Sequence, residues 1–117
     1  MIAPIGPTNP PDKPLLLLHL EDCLTDQRLA HITLRKAGIA CEIVPTDNLG
    51  DFIKLLQSQS FDLVLADYYL QGFTALDAWD QARQIPHCPP FVLLSGAIGE
   101  TAAVDAIREG VSDYLLK

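Results

Sequence analysis

The stretch FDLVLADYYLQG, which runs from Phe61 to Gly72, joins a short apolar segment directly to an aspartate. Leu63–Ala66 has the unbroken apolar character of a strand buried in the middle of a sheet. Asp67 stands where this strand should end. An aspartate there is commonly a turn former or a helix cap, because its carboxylate accepts backbone hydrogen bonds. It can also be a functional group at the rim of a parallel sheet, and the rest of the chain decides between the two interpretations.

Strand and helix patterns alternate along the chain on both sides of this stretch. Five strands are predicted, at Leu15–Leu20, Cys41–Pro45, Leu63–Asp67, Phe91–Ser95 and Asp113–Lys117. Apolar residues at helical spacing separate them, and the first helix is expected to be capped by Thr25 or Asp26 and to end before Gly38. Strands that alternate with short helices predict right-handed crossovers and a parallel sheet with helices on both faces. The predicted fold class is therefore α/β.

The composition is that of one acidic domain. The chain has 117 residues, 49% of them hydrophobic, and its net charge of -7 argues against direct nucleic acid binding, which needs a basic face. No apolar run approaches the roughly 18 residues that a membrane span needs. Residues 1–14 contain five prolines and no signal-peptide core, so we expect a flexible tail before a domain at 15–117. Cys23, Cys41 and Cys88 lack metal-type spacing and fit reduced thiols in a cytoplasmic protein.

Polar side chains follow the predicted strands at the points where they end. These residues are Glu21 and Asp22 after the first strand, Asp67 at the third, Ser95 at the fourth and Lys117 at the fifth. Each has an ordinary explanation when taken alone: solvated acids before a helix, a turn former, a loop serine and a surface lysine. Together they are harder to dismiss, because ligands of open α/β sheets bind outside the carboxyl ends of the strands.

The chemistry of this set favours phosphoryl transfer. Two unit charges roughly 4 Å apart repel by about 4 kcal/mol at an effective dielectric constant of about 20, and one lysine cannot neutralise three acids. A hard divalent cation can, and Mg²⁺ prefers oxygen ligands while it keeps several waters. A carboxylate nucleophile, a metal ion, a hydroxyl and an ammonium group suit transfer of a phosphoryl group to an aspartate.

The sequence resembles the receiver domain of response regulators in bacterial two-component systems, and specifically the chemotaxis-regulator-like type. The resemblance lies in the segments LEDCLTDQRL, FDLVLADYYLQGF, FVLLSGAIGE and AIREGVSDYLLK, which occur in the family's order and at its spacing. It covers residues 15–117. It implies a flavodoxin-like, doubly wound sheet of five parallel strands in the order 2-1-3-4-5.

The resemblance also implies a role for each acid at the carboxyl edge. Asp67 would be the phosphoacceptor. Asp22 would ligate Mg²⁺ directly, Glu21 would help through a water molecule, and the backbone carbonyl of Tyr69 would supply a further ligand. Mg²⁺ would be the one cofactor, and the domain would be a switch and not an enzyme, beyond catalysing its own phosphorylation and dephosphorylation.

Three further residues take roles from the same resemblance. Ser95 would hydrogen-bond the phosphoryl group, Lys117 would pair with it, and Tyr114 would be the aromatic switch whose rotamer follows Ser95. The implied phosphoryl donor is a histidine kinase or a histidine phosphotransfer protein. An output or sensor module elsewhere in a longer protein is a further expected partner.

The sequence departs from the family pattern in three places. Gln71 and Ala75 stand where the family often has proline and glycine, so the loop after Asp67 is expected to have its own shape. Tyr69 is bulky beside the phosphoryl position, which predicts restricted access and slow dephosphorylation. The family continues into a fifth helix where this sequence reaches Lys117, so we expect part of the first and fifth strands to be uncovered and a homodimer to be one way of covering them.

Other functions fit the residues less well. A flavin carrier of similar fold would want a hydroxyl-rich loop after the first strand, where this chain has the acidic EDCLTD. An aspartate phosphatase would place an Asp-x-Asp motif there. His31 lies in a predicted surface helix and not in the helical hairpin of a phosphorylated histidine. The strongest alternative is a receiver-like docking module that is not phosphorylated, and the presence of all five functional side chains argues against it.

Overall fold

Strands and helices alternate along the chain in the computed structural model, which describes residues 14–95 and 100–116. The strands are β1 Leu15–Leu20, β2 Cys41–Thr46, β3 Leu63–Asp67, β4 Tyr69–Leu70, β5 Phe73–Thr74, β6 Phe91–Ser95 and β7 Asp113–Leu116. The helices are α1 Leu24–Lys36, α2 Leu49–Ser58, α3 Ala75–Ala82 and α4 Glu100–Arg108. Within those residues, none of the helices has the length and apolar character needed to cross a bilayer.

Five of the strands form one parallel sheet in the order β2-β1-β3-β6-β7. The remaining two, β4 and β5, form a separate antiparallel hairpin. When the hairpin is set aside, the order is the expected 2-1-3-4-5, so the flavodoxin-like α/β fold is confirmed. The apolar run of β1 explains its central place, because strands with helices on both faces are buried on both sides.

The larger core lies between the sheet and helices α2, α3 and α4. Leu18 and Leu20 point to this side, and Phe91 lies at its centre. The ring of Phe91 meets the edge of Phe52 at a centroid distance of 6.2 Å and lies 5.3 Å from Trp79. These aromatic contacts join α2 and α3 to the start of β6.

The opposite face of the sheet has a smaller core. Leu17, Leu65 and Val92 are its buried members, and α1 contributes no fully buried residue. His19 of β1 is completely buried. Leu17 of β1 is 2% exposed, whereas Leu115 of β7 is 47% exposed.

The start of α1 corrects a sequence prediction. The cap is Cys23 and not Thr25 or Asp26, which both lie inside the helix. The first helical bond runs from the N–H of Gln27 to the Cys23 carbonyl at 3.0 Å. Cys23 makes no side-chain capping bond, and its own N–H donates to a carboxylate oxygen of Glu21 at 3.2 Å, so α1 begins without the Ser, Thr, Asp or Asn cap that its sequence offers.

A glycine beside Trp79 tests the larger core. Gly110 has a φ of 103°, and a Cβ there would lie 3.1 Å from Cζ2 of Trp79. We expect Gly110→Ala to lower the free energy of unfolding by roughly 2–3 kcal/mol, because left-handed backbone and crowding both oppose the methyl group. Urea unfolding followed by Trp79 fluorescence measures this loss.

Gly38 is the matched control for this substitution. Its φ is also positive, at 78°, but a Cβ there would meet nothing within 4 Å. Gly38→Ala should therefore cost only the backbone term of roughly 1–2 kcal/mol. Equal losses in the two variants would show that contact with Trp79 does not limit position 110.

Candidate functional site

The register between β1 and β3 brings acids together at the carboxyl edge of the sheet. Leu20 pairs with Ala66, so the next residues, Glu21 and Asp67, leave neighbouring strands at the same level. One carboxylate oxygen from each of Glu21, Asp22 and Asp67 can be chosen so that all three lie within 4.8 Å of one another. The convergence of these three acids, expected from the strand ends, is what the structure shows.

Glu21 is the most constrained of the three acids. Its side chain is completely buried, and one carboxylate oxygen accepts the N–H of Cys23 at 3.2 Å. Its own N–H donates to the carbonyl of Thr46 in β2 at 2.9 Å, and its carbonyl accepts Nε2 of Gln27 at 2.6 Å. Glu21 is thus held in place by β2 and α1 as well as by its own strand.

Asp22 is half-buried and reaches across to a different part of the chain. Its Oδ2 accepts the backbone N–H of Gln71 at 2.9 Å, over a separation of 49 residues. A hydrogen bond to an ionised acceptor is among the stronger kinds in proteins. Sequence reasoning noted Gln71 only as a departure from the family's proline and did not identify its N–H as part of the site.

Asp67 is the last residue of β3 and lies opposite Leu94 of β6. It is 8% exposed, so its carboxylate lies in surroundings that screen charge less than bulk water does. Carboxylates this close repel, and a hard cation relieves the repulsion while it accepts oxygen ligands. The donor set of three carboxylate oxygens therefore fits Mg²⁺.

The segment after Asp67 is a small hairpin that the sequence patterns did not predict. Strands β4 and β5 pair through Leu70 and Phe73, which leaves a two-residue turn of Gln71 and Gly72. Gly72 has a φ of 85°, which glycine adopts without strain. A Gln-Gly pair between short apolar segments was the available signal. Strands of two residues are too short for an alternating pattern to reveal them.

Tyr68 and Tyr69 lie at the base of this hairpin. Their rings meet nearly edge to face at a centroid distance of 4.8 Å, and Tyr69 is 60% exposed. The pKa of Tyr68 is raised by burial and further by Tyr69, Asp105 and Asp77. Its hydroxyl therefore stays protonated near neutral pH. The bulky side chain of Tyr69 stands at the surface two residues after Asp67.

The remaining predicted site residues are placed only in part. Ser95 ends β6, and its backbone pairs with Leu116 of β7, although its side chain lies outside the described residues. Lys117 also lies outside them. Tyr114 pairs with Leu93 and packs half-buried against the larger core. The register thus brings the end of β7 beside Ser95.

The cysteines do not rival the acids as reactive groups. Burial raises the pKa of the Cys41 and Cys88 thiols, so both stay protonated near neutral pH, where a thiol is a poor nucleophile and metal ligand. Cys23 is exposed and lies directly after two acids.

Comparisons with known proteins match the chain to one domain family. The family model for the response regulator receiver domain matches residues 17–117. A solved response regulator receiver protein from Pseudomonas putida is 25% identical, with a TM-score of 0.75 over 89% of this chain and 86% of that one. No curated protein sequence matches the chain.

Two further solved structures are similar in fold. The Mn²⁺-bound form of a response regulator is 24% identical, with a TM-score of 0.76 over 89% of this chain and 81% of that one. The receiver domain of a sensor histidine kinase from Pseudomonas aeruginosa, solved with a magnesium ion in its active site cleft, is 20% identical. Its TM-score is 0.75 over 89% of this chain and 85% of that one.

Because the three acids are close together, we predict that replacing one of them with a neutral residue stabilises the metal-free protein. We expect Asp67→Asn to raise the free energy of unfolding by about 1 kcal/mol without Mg²⁺, because it removes repulsion and keeps a side chain of similar size. Chemical denaturation in the presence of a chelator measures the change.

Glu42→Gln is the control for net charge alone. Glu42 is exposed on β2, and its neutralisation changes the charge of the protein by the same amount. It should alter stability by no more than about 0.5 kcal/mol. If the two variants behave alike, the effect belongs to the overall charge and not to the cluster.

Proposed function

Because the chain belongs to the response regulator receiver domain family, we propose that it receives a phosphoryl group on Asp67 and changes conformation as a result. The family is a signalling module of two-component systems and not a conventional enzyme. The single observation that supports the proposal is the meeting of Glu21, Asp22 and Asp67 within 4.8 Å at the carboxyl edge of the sheet.

The proposed step is a displacement at phosphorus. A carboxylate oxygen of Asp67 attacks the phosphoryl group of a phosphohistidine on a histidine kinase or a phosphotransfer protein. The new O–P bond forms as the P–N bond breaks, and the imidazole leaves with the bonding electrons and a proton from solvent. Asp67 is 8% exposed at the carboxyl edge of the sheet, so the donor would approach it from that edge.

We propose that Asp22 and Asp67 hold Mg²⁺ directly, with Glu21 acting through a water molecule and the Tyr69 backbone carbonyl as a further ligand. Bound Mg²⁺ would offset the negative charge on the transferring oxygens. The chemistry of the donor set supports this assignment, and so do the similar proteins that were solved with Mn²⁺ or magnesium. The hydrogen bonds that fix Glu21 suit a group that orients water.

Three residues complete the proposed site. The Ser95 hydroxyl would donate to a phosphoryl oxygen, and the Lys117 ammonium would pair with another. Tyr114 would change its side-chain position when Ser95 engages the phosphoryl group. The pairing of Ser95 with Leu116 supports a coupled movement of β6 and β7, because a shift at the end of one strand would displace the strand that is hydrogen-bonded to it.

The domain proposed for this role is residues 15–117, with the proline-rich residues 1–14 outside it. We propose a cytoplasmic location, which suits three cysteines that form no disulfide. The partners would be a histidine kinase or phosphotransfer protein and an output or sensor module in a longer protein. A homodimer is a further proposed assembly.

Loss of the phosphoacceptor gives the direct test. We expect Asp67→Asn to abolish Mg²⁺-dependent labelling by acetyl phosphate, because an amide lacks the anionic oxygen that attacks phosphorus. Asp105→Asn, which changes an exposed aspartate on α4, should leave labelling unchanged. Undiminished labelling of Asp67→Asn would remove Asp67 from the role. A wild-type protein that is never labelled would favour the docking module.

Metal binding gives an independent test. Mg²⁺ sheds water reluctantly, so we expect weak binding that depends on Asp22 and Asp67. Titration followed by amide chemical shifts should localise the response to the carboxyl edge. Asp22→Ala should weaken binding at least about tenfold, since it deletes a charged oxygen ligand. Equal affinity in that variant would contradict the assigned ligand set.

A further inference from the structure

One hydrogen bond links the hairpin turn to the acid cluster. The backbone N–H of Gln71 donates to Oδ2 of Asp22 at 2.9 Å. The two residues are far apart in sequence, and each lies beside a different part of the site. Asp22 follows β1, whereas Gln71 begins the turn of the hairpin that continues from Asp67.

The turn geometry explains why this N–H is free to donate outward. Leu70 and Phe73 form the closing pair, so Gln71 and Gly72 occupy the two central turn positions. Gly72 has a φ of 85°, and Gln71 is not among the described residues with positive φ. A first central residue without positive φ followed by one with positive φ fits a type II turn, and in any β-turn the closing hydrogen bond is donated by the residue after the two central ones. The N–H of the first central residue takes no part in that bond. The N–H is therefore available to Asp22.

We propose that the Gln71 backbone N–H is a positioning group for the metal centre, which orients the Asp22 carboxylate and fastens the hairpin to it. This inference rests on the proposed function. Asp22 is half-buried, and its side chain would otherwise rotate about two torsions. A charge-assisted bond to one oxygen restricts that rotation and leaves the other oxygen available to a metal ion.

The hairpin is attached to the acid cluster at two points. The chain joins it covalently to Asp67 through Tyr68, and the N–H of Gln71 joins it to Asp22 by a hydrogen bond. The Tyr69 carbonyl, proposed as a metal ligand, lies between these two attachments in the chain. Partners of metal ligands commonly affect affinity nearly as much as the ligands do. Gln71 is thus expected to influence two ligands at once.

Proline at this position isolates the donor. The resembled family often has proline where Gln71 stands, and proline cannot donate a backbone hydrogen bond. Proline also favours the first central position of a type II turn, so Gln71→Pro should preserve the hairpin. Gln71→Ala keeps the N–H and removes only an exposed side chain. The pair separates the backbone donor from everything else at this position.

The first experiment compares Mg²⁺ binding in these two variants by amide chemical shifts. We expect Gln71→Pro to weaken binding by roughly tenfold and Gln71→Ala to stay within about twofold of wild type. Circular dichroism and urea unfolding should show both variants folded. Wild-type affinity in a folded Gln71→Pro, or an equal loss in Gln71→Ala, would overturn the inference.

The second experiment needs neither metal nor a change at Gln71. Hydrogen exchange of the Gln71 amide in metal-free protein should be slow in wild type, because the amide is bonded. Asp22→Ala should speed it by about tenfold or more, whereas Asp22→Asn, which retains an acceptor oxygen, should restore much of the protection. An amide rate indifferent to Asp22→Ala would overturn the inference even if Gln71→Pro failed to fold.

The outcomes distinguish this inference from the proposed function. If wild type binds Mg²⁺ and is labelled on Asp67 while Gln71→Pro behaves like wild type, only the positioning role is lost. If wild type binds no Mg²⁺, the metal site and the positioning role both fall.

Discussion

The pairing of β1 with β3 is the constraint on which the site depends. Leu20 and Ala66 are register partners, so any acid placed directly after either strand must meet an acid placed after the other. A slip of one residue would turn every side chain of the strand to the opposite face of the sheet. It would move Leu18 and Leu20 out of the larger core, so the same apolar contacts that stabilise the sheet also hold the carboxylates together.

Favourable and unfavourable contributions to stability are adjacent at this edge of the sheet. Burial of the apolar strand residues stabilises the fold, whereas the acids that follow them place like charges close together in a partly buried position. Proteins keep such local conflicts mainly where function requires them, and the surrounding structure must compensate. Here the compensation visible among the described residues is a set of backbone donors, which includes the N–H groups of Cys23 and Gln71. Each N–H stabilises the negative charge of the carboxylate that it contacts.

Sequence reasoning succeeded where a physical pattern repeats and failed where a single contact decides. The main strands were predictable because buried parallel strands have unbroken apolar runs, and the acids were predictable because they stand at strand ends. The strand order came from family resemblance, since apolar runs do not reveal which strands are neighbours. The cap at Cys23 makes no side-chain bond to the helix, and the hairpin turn contains one glycine with positive φ. Neither leaves a periodic signal.

Hydrogen bonds around the acids suggest how a charge added at Asp67 would reach the rest of the domain. The N–H of Ala75 donates to the carbonyl of Tyr68 at 2.9 Å, so the residue after Asp67 is tied to the start of α3. Glu21 is tied to β2 through the Thr46 carbonyl and to α1 through Gln27. These three hydrogen bonds reach three different elements, α3, β2 and α1, and each starts at Glu21 or at the residue after Asp67. A backbone shift at Glu21 or Tyr68 would therefore be passed to β2, α1 and α3, because these elements share its hydrogen bonds.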